Sequence, residues 1–258
     1  MNPAEYRRMY ESEDSHWWYA GLHELVLDYV REEAGRVGRR LRILDAGCGT
    51  GRLCQLMSAY GEVSGVDAST EAISYCCERG VAASCGDLND LSFEREEFDV
   101  ITSMDVLYHI GIRDDVAVLG GLRSALKPGG LLILNLVAHE FLRSTHDIAV
   151  HTRERYTLGS LGERLKSAGF ETSFITYRVA LLFPFIAVYR IAARFFARRN
   201  ADRGDVVSDV VMPHPLVNAA LLRIVRLENQ IVRTVRMPMG SSVFAVARKP
   251  CAPLPESP

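Results

Sequence analysis

The segment Asp45-Ala-Gly-Cys-Gly-Thr-Gly51 sets three glycines at alternate positions directly after an apolar run at 41–44. A glycine-rich turn between a strand and a helix lets a ligand approach the main chain closely and aims helix N-terminal N–H groups at it. Two more acids close later apolar runs: Asp67 after 62–66 and Asp87 after 82–86. A carboxylate at the first of these strand ends can accept both hydroxyls of a ribose, and one at the second can accept an adenine amino group. With no phosphate-binding Arg or Lys nearby, the set suits a nucleoside without phosphates. A second group of residues could move protons. His109 follows the apolar run 98–103, His139 follows 131–137, and His146-Asp147, His151, Arg153 and Arg155-Tyr156 form a dense polar cluster. Histidine is the side chain that titrates near neutral pH, and an Asp beside it can orient the ring.

These residues need a scaffold, and the hydrophobic pattern supplies one. Strand-like runs at 41–44, 62–66, 82–85, 98–103 and 131–137 alternate with helical patterns at 52–59, 69–79 and 114–126. Ser69 is placed to cap the second of these helices, and Lys127-Pro-Gly-Gly130 to stop the third. Such alternation predicts a mostly parallel sheet covered on both faces. The polar stretch 139–156 reads as a loop, 157–168 as a helix closed by Gly169, and 170–177 and 242–248 as two final strands. With 258 residues, 48% hydrophobic and 24% charged, the chain suits a folded α/β protein with a sizeable core.

Taken together, the motifs resemble the class I S-adenosylmethionine-dependent methyltransferases, in particular a bacterial small-molecule branch. The residues that carry the resemblance are Ile43-Leu-Asp-Ala-Gly-Cys-Gly-Thr-Gly51, Val66-Asp67, Gly86-Asp87, Phe98-Asp-Val-Ile101 and Leu126-Lys-Pro-Gly-Gly-Leu-Leu132, in that order over about 40–178. A dinucleotide enzyme would carry a conventional G-x-G-x-x-G and a different partner domain. The resemblance implies a Rossmann-like, doubly wound, seven-stranded sheet with a reversed last strand, and S-adenosyl-L-methionine as cofactor, leaving as S-adenosyl-L-homocysteine. It implies that Gly47, Cys48, Gly49 and Gly51 shape the cofactor loop and that Asp45 orders it. Asp67 would bind the ribose, Ala68 and Leu88 flank the adenine, Asp87 take the adenine amino group, and Met104 and Asp105 lie beside the sulfonium. The segment Asp14-Ser-His-Trp-Trp-Tyr19 resembles an N-terminal lid in which Trp18 can stack on the cofactor, although Ala20 and Leu22 stand where arginines are common.

Methyl transfer is an in-line displacement at an already activated carbon, so the protein mainly aligns the acceptor and removes its proton. The candidates for that proton transfer are His109, His146, His151 and Asp147, with His139 also able to face the acceptor. The acid–histidine cluster could in principle hold a metal, but its spacing specifies none. His16, His23 and His214 read as surface or packing residues. The end of the fourth strand, Ser103-Met-Asp-Val106, lacks the motifs of nucleic-acid methylating enzymes, which directs the reading to a small-molecule acceptor rather than DNA or RNA.

The family's last two strands normally form a hairpin, whereas here residues 179–240 intervene. The expected organisation is therefore a lid and helix at 1–38, a core at 39–178 and 241–250, a helical cap inserted at 179–240, and a tail at 251–258. Arg190, Arg194 and Arg198 share a helix face, and Arg223, Arg226, Arg233 and Arg236 recur among Leu and Val. From 178 to 249 there are 12 Lys or Arg against 4 Asp or Glu, while the whole chain is only −2. Basic amphipathic helices fit a cap over a hydrophobic or lipid-linked acceptor, with peripheral membrane contact or homodimerisation as further uses. Six cysteines without metal spacing and a polar N-terminus predict a cytoplasmic enzyme, with membrane association as the alternative that the basic insertion offers. Oxygen leads as acceptor atom, before nitrogen and carbon. The rival readings are a non-catalytic protein that binds the same cofactor and an enzyme that uses it for non-methyl chemistry.

Overall fold

Seven strands form one sheet in the order β3-β2-β1-β4-β5-β7-β6 in the computed structural model, which describes residues 3–90, 93, 95–199 and 212–251. The chain opens with α1 (Pro3–Ser12) and α2 (Trp17–Val37). It continues through β1 (Leu41–Ala46), α3 (Arg52–Met57), β2 (Gly61–Asp67), α4 (Thr70–Glu78) and β3 (Ala83–Cys85). After β4 (Phe98–Met104) and α5 (Asp115–Ala125) come β5 (Leu126–Val137), α6 (Thr145–Ala149), α7 (Leu158–Ser167) and β6 (Glu171–Arg178). The insertion contributes α8 (Phe183–Arg199) and α9 (Pro215–Val232), and β7 (Ser242–Arg248) closes the sheet. β1 pairs in parallel with β2 and β4, and β4 with β5. β7 runs antiparallel between β5 and β6, so it is the reversed strand.

Both faces are covered. On one, Val118, Leu119 and Leu122 of α5 and Leu161 and Leu165 of α7 pack on Leu44, Ile101 and Leu132. On the other, Leu22, Leu25, Val26 and Val30 of α2 pack with Leu53 and Met57 of α3 on Ile43, Val100 and Ile133. The central strands are buried on both sides, which is why they read as continuous apolar runs rather than alternating ones. Local chemistry sets the helix ends. Ser69 caps α4 by accepting from Ala72 N, Asp114 caps α5 by accepting from Val116 N and Ala117 N, and Thr157 forms a capping box with Ser160 on α7.

Two expectations need correction. Lys127-Pro-Gly-Gly130 lies inside β5 rather than before it: α5 stops at Ala125, and β5 starts at once. Pro128 is accommodated because the β4–β5 register shifts between Phe98 and Val100, where a missing ladder N–H is tolerated. The stretch 139–156 is also not loop throughout. It holds a 3-10 turn, Glu140–Leu142, and α6.

The insertion is anchored to the N-terminal helix. Gly21 of α2 lets α9 approach so closely that a Cβ there would lie 2.4 Å from Val225 Cγ1. Asn229 Nδ2 donates to Gly21 O at 2.7 Å, and Asn218 Nδ2 to Ser15 O at 2.7 Å. Arg226 pairs with Glu24, and Arg233 with Asp28 and Glu32. Two of the four arginines singled out between 223 and 236, Arg226 and Arg233, therefore face acids of α2. The turn that starts the insertion is held by buried Glu228, which accepts from Val179 N at 2.5 Å and Leu181 N at 2.8 Å. Residues 200–211 and the side chains of Arg194 and Arg198 lie outside the described residues. No helix among the described residues is long and apolar enough to cross a membrane.

Candidate functional site

At the C-terminal ends of β1, β2, β3 and β4 lies a cavity of about 690 Å³, roofed by α1, α2 and the start of α8. This is where ligands bind in open parallel sheets, outside the strand carboxyl ends. Its floor begins with the loop after β1. Gly47, Gly49 and Gly51 all have positive φ, at 86°, 53° and 82°. At Gly47 space is limiting as well, since a Cβ would meet Val106 Cγ2 at 2.2 Å. Gly47 N and Cys48 N donate to Val66 O at 2.8 and 2.9 Å, which ties the loop to the end of β2. Asp45 supports it from below. Its carboxylate accepts from the Thr102 hydroxyl at 2.6 Å and from Cys54 Sγ at 3.5 Å, and burial raises it to about 6.

Asp67 ends β2 facing the cavity. One oxygen accepts from Gly49 N and the other from Ser69 N, both at 2.9 Å. Burial raises its carboxyl, opposed by those two N–H groups and the Tyr6 hydroxyl. Asp87 is more open. It accepts from Asn89 N at 2.9 Å and from Asn89 Nδ2 at 2.5 Å, and the first of these bonds lowers its pKa. Arg113 stands 3.7 Å from it, a basic neighbour that the sequence reading had not placed there. Ala68, Leu88, Met104, Asp105, His109 and Trp18 also line the cavity. Gly51 does not; it packs on the Cys76 thiol, which a Cβ would approach to 2.9 Å.

The proton-transfer candidates separate. His109 lines the cavity, its Nδ1 accepting from Gly111 N at 3.0 Å, and burial lowers its pKa to about 4. His151 lies behind it at a ring-centroid distance of 5.6 Å and does not line the cavity. The side chain of His146 lies outside the described residues. Asp147 is held by Arg155, whose Nε and one terminal nitrogen each donate to one of its oxygens at 2.9 Å, with both side chains buried. Burial would raise its carboxyl, but the guanidinium holds it below the usual range. The rest of the cluster is a clasp between loops. Arg153 and the Tyr156 hydroxyl both donate to Asp115 of α5. His139 is stacked on Tyr177 and Phe141, at centroid distances of 4.6 and 5.1 Å, and stays outside the cavity.

Several lining residues carried no signal in the sequence. His16 and His23, read as surface or packing, are both buried and both face the cavity. His16 caps α2 by accepting from Trp18 N, and burial lowers His23 to about 3. Glu13, between α1 and α2, accepts from the Thr50 hydroxyl and from Arg79 at 2.8 Å, and burial raises it to about 7. Asp14 pairs with Arg52 at 2.5 Å, so the N-terminal segment is clamped over the glycine loop. Ile186, Tyr189 and Arg190 of α8 and Arg155 complete the far end. The acids Glu13-Asp14 before the tryptophans were the available hint, but nothing in one sequence says which later residues they meet.

Comparison with known proteins agrees with this geometry. A family model described as a methyltransferase domain matches residues 43–130. The ubiquinone biosynthesis O-methyltransferase of Thiobacillus denitrificans (strain ATCC 25259 / T1) is 30% identical over 210 residues, covering 69% of this chain and 86% of that one. Its namesake from Bradyrhizobium sp. (strain ORS 278) is 32% identical over 160 residues, covering 52% of this chain and 62% of its own length. Among solved structures, a methyltransferase determined in complex with the Haloferax volcanii activator Trm112 superposes with a TM-score of 0.58 at 19% identity, covering 98% and 96% of the two chains.

Proposed function

We propose that this chain, which belongs to the class I S-adenosylmethionine-dependent methyltransferases, moves a methyl group to a hydroxyl oxygen of a small, hydrophobic or lipid-linked acceptor. It is an enzyme of that class, acting on a small molecule, and its cofactor is S-adenosyl-L-methionine. The observation that carries the acceptor reading is the composition of this cavity. At one end it presents Asp67, Asp87 and the glycine loop, and at the other aromatic and apolar groups of α2 and α8, including Trp17, Tyr19, Ile186 and Tyr189. A volume of about 690 Å³ suits a nucleoside-sized ligand beside a second small molecule.

The residues fit the cofactor. In this reading the cofactor's amino-acid part lies against the main chain at Gly47 and Gly49, Asp67 takes the ribose hydroxyls, and Asp87 takes the adenine amino group between Ala68 and Leu88. Trp18 roofs the site with Met104 and Asp105 opposite, and Asp45 and Cys48 keep the loop in shape from beneath. Gly51 acts through loop shape alone. The bound cofactor supplies an activated methyl group, so what remains for the protein is to exclude water, align the acceptor and receive its proton.

The relatives' shared name supports oxygen as the acceptor atom and an acceptor on the way to ubiquinone. The insertion supports a cap that admits an apolar chain, since Ile186 and Tyr189 enter the cavity while Phe185 and Leu216 are 75% and 76% exposed. In this reading peripheral membrane contact uses those apolar residues, because Arg226 and Arg233 are engaged by α2. Calorimetric titration with S-adenosylmethionine and S-adenosylhomocysteine, on wild type and Asp67→Ala, tests the cofactor half; binding should collapse in the variant. Mass spectrometry of incubations with polyprenylated catechols tests the acceptor half, through the gain of one methylene in mass at oxygen. Products lacking that gain would favour non-methyl chemistry, and binding without any product a non-catalytic role. Sedimentation with anionic vesicles, compared with Phe185→Ser, tests the membrane contact. Light scattering shows whether the same apolar face joins two copies.

A further inference from the structure

The carboxylates lining the cavity are nearly all held by the protein: Asp45 by Thr102, Asp67 by two backbone N–H groups, Glu13 by Thr50 and Arg79. Asp105 differs. Its Oδ2 accepts from Asn135 Nδ2 at 2.9 Å, but its buried Oδ1 has no hydrogen-bond partner among the described residues. A buried acceptor left unanswered costs free energy, and in a native structure it needs an explanation such as a catalytic role. The backbone is unusual at the same residue. Asp105 has φ 60°, a left-handed conformation that few side chains adopt, fixed by its N–H donating to Asn135 O at 2.7 Å. The carboxylate is thus pinned at the end of β4, on the cavity wall between the glycine loop and Tyr108.

Three histidines line the cavity, and none is better suited to receive a proton; burial lowers His23 to about 3, which makes it a weak base. A neutral imidazole carries one N–H and one lone pair. His109 Nδ1 spends its lone pair on Gly111 N–H, so its proton sits on Nε2, which can donate but not accept. His16 Nδ1 is occupied in the same way by Trp18 N–H.

We propose that Asp105 is the catalytic base of this enzyme: its carboxylate takes the proton of the acceptor hydroxyl as that oxygen bonds to the methyl carbon. The carbon–sulfur bond breaks with its electron pair returning to sulfur, which leaves a methyl ether, S-adenosylhomocysteine and a protonated Asp105. This rests on the reading of the acceptor atom as a hydroxyl oxygen. Burial raises the Asp105 carboxyl to about 7, with Asn135 of β5, Arg178 of β6 and Arg155 opposing. Tyr19 of α2 and Tyr108 face it with pKa values raised by burial, so both stay neutral. A base of that strength loses its proton again near neutral pH.

The test measures methylation of catechol and of 4-nitrocatechol by wild type, Asp105→Asn and Asp105→Glu, with S-adenosylhomocysteine affinity measured for each. At about pH 8 the nitro compound is already ionised and needs no base. Asp105→Asn should lower kcat on catechol roughly 10²–10⁴-fold, lose most of that deficit on 4-nitrocatechol, and bind S-adenosylhomocysteine within about threefold of wild type. Asp105→Glu, which keeps a carboxylate, should retain the acid limb of the kcat–pH profile near pH 7 that the Asn variant loses. Equal loss on both acceptors, or a loss matched by weakened cofactor binding, overturns the assignment and leaves the hydroxyl reading standing. Wild type that methylates neither compound at oxygen overturns the hydroxyl reading, and the base assignment falls with it.

Discussion

Replacing Asp147 by Ala separates two accounts of the polar cluster at 146–156. The pairing with Arg155 is bidentate, with both bonds at 2.9 Å and side-chain exposures of only 1% and 2%. Asp147 Oδ2 also accepts from Ser144 N at 2.7 Å. Removing one partner leaves the Arg155 guanidinium buried and uncompensated, which costs about 3–5 kcal/mol. For a chain of this size about 1 kcal/mol moves the unfolding midpoint by roughly 2–4 °C, so Asp147→Ala should melt roughly 10 °C lower. The double variant Asp147→Leu/Arg155→Met, which removes both charges, should recover most of that loss. Differential scanning calorimetry with bound S-adenosylhomocysteine held constant is the assay. A variant that melts within about 2 °C of wild type, yet has lost kcat by 10²-fold or more, would refute the ion-pair account and restore Asp147 to the chemistry.

Gly47→Ala combines a positive φ with a 2.2 Å approach to Val106, so it should destabilise the fold by about 2–4 kcal/mol and weaken cofactor binding. Urea unfolding with calorimetry checks both; an unchanged midpoint would mean that the loop lies elsewhere. Gly21→Ala drives a methyl group into Val225 and should loosen α9 from α2 at about 1–3 kcal/mol, read as faster amide exchange in both helices. His23 has a folded pKa depressed to about 3, below its unfolded value, by burial. The stability it contributes is therefore present above about pH 6.5 and lost as pH falls toward the folded value. The difference in stability between wild type and His23→Gln should accordingly shrink from pH 8 to pH 5, and parallel urea-midpoint curves would contradict it.

The elements of the core were legible because their signals are local. Apolar runs bounded by Gly47, Asp67 and Asp87 gave the strands, and Ser69, Asp114 and Thr157 are caps whose bonds stay within one turn. The cofactor end was legible for the same reason, since its loop and acids sit at strand ends. The other end was not. His16, His23 and Glu13 reach the cavity only because α1 and α2 fold back over β1, and that return leaves no periodicity in the sequence. In the histidine-rich stretch, spacing groups His146, Asp147 and His151, and burial adds a partner that spacing does not show, Arg155 on Asp147. The charge of α9 is met in part within the chain, since Arg226 and Arg233 pair with Glu24 and Asp28, about two hundred residues upstream on α2.

That last distance bears on how the protein is made. Trp17 N donates to Asn218 Oδ1 at 2.9 Å, so roof helix α2 is held by α9, which leaves the ribosome long after it. β7 is later still, and it fills the gap between β5 and β6. Until it arrives those two strands present unpaired edges, and until α9 arrives α2 has no partner there to dock on. The nascent chain therefore carries a finished glycine loop in an unfinished cavity. Contacts of such long sequence separation close slowly and leave edges exposed meanwhile. A chain stalled before α9 therefore has the whole nucleoside motif and lacks both the helix on which its roof docks and the strand that closes its sheet.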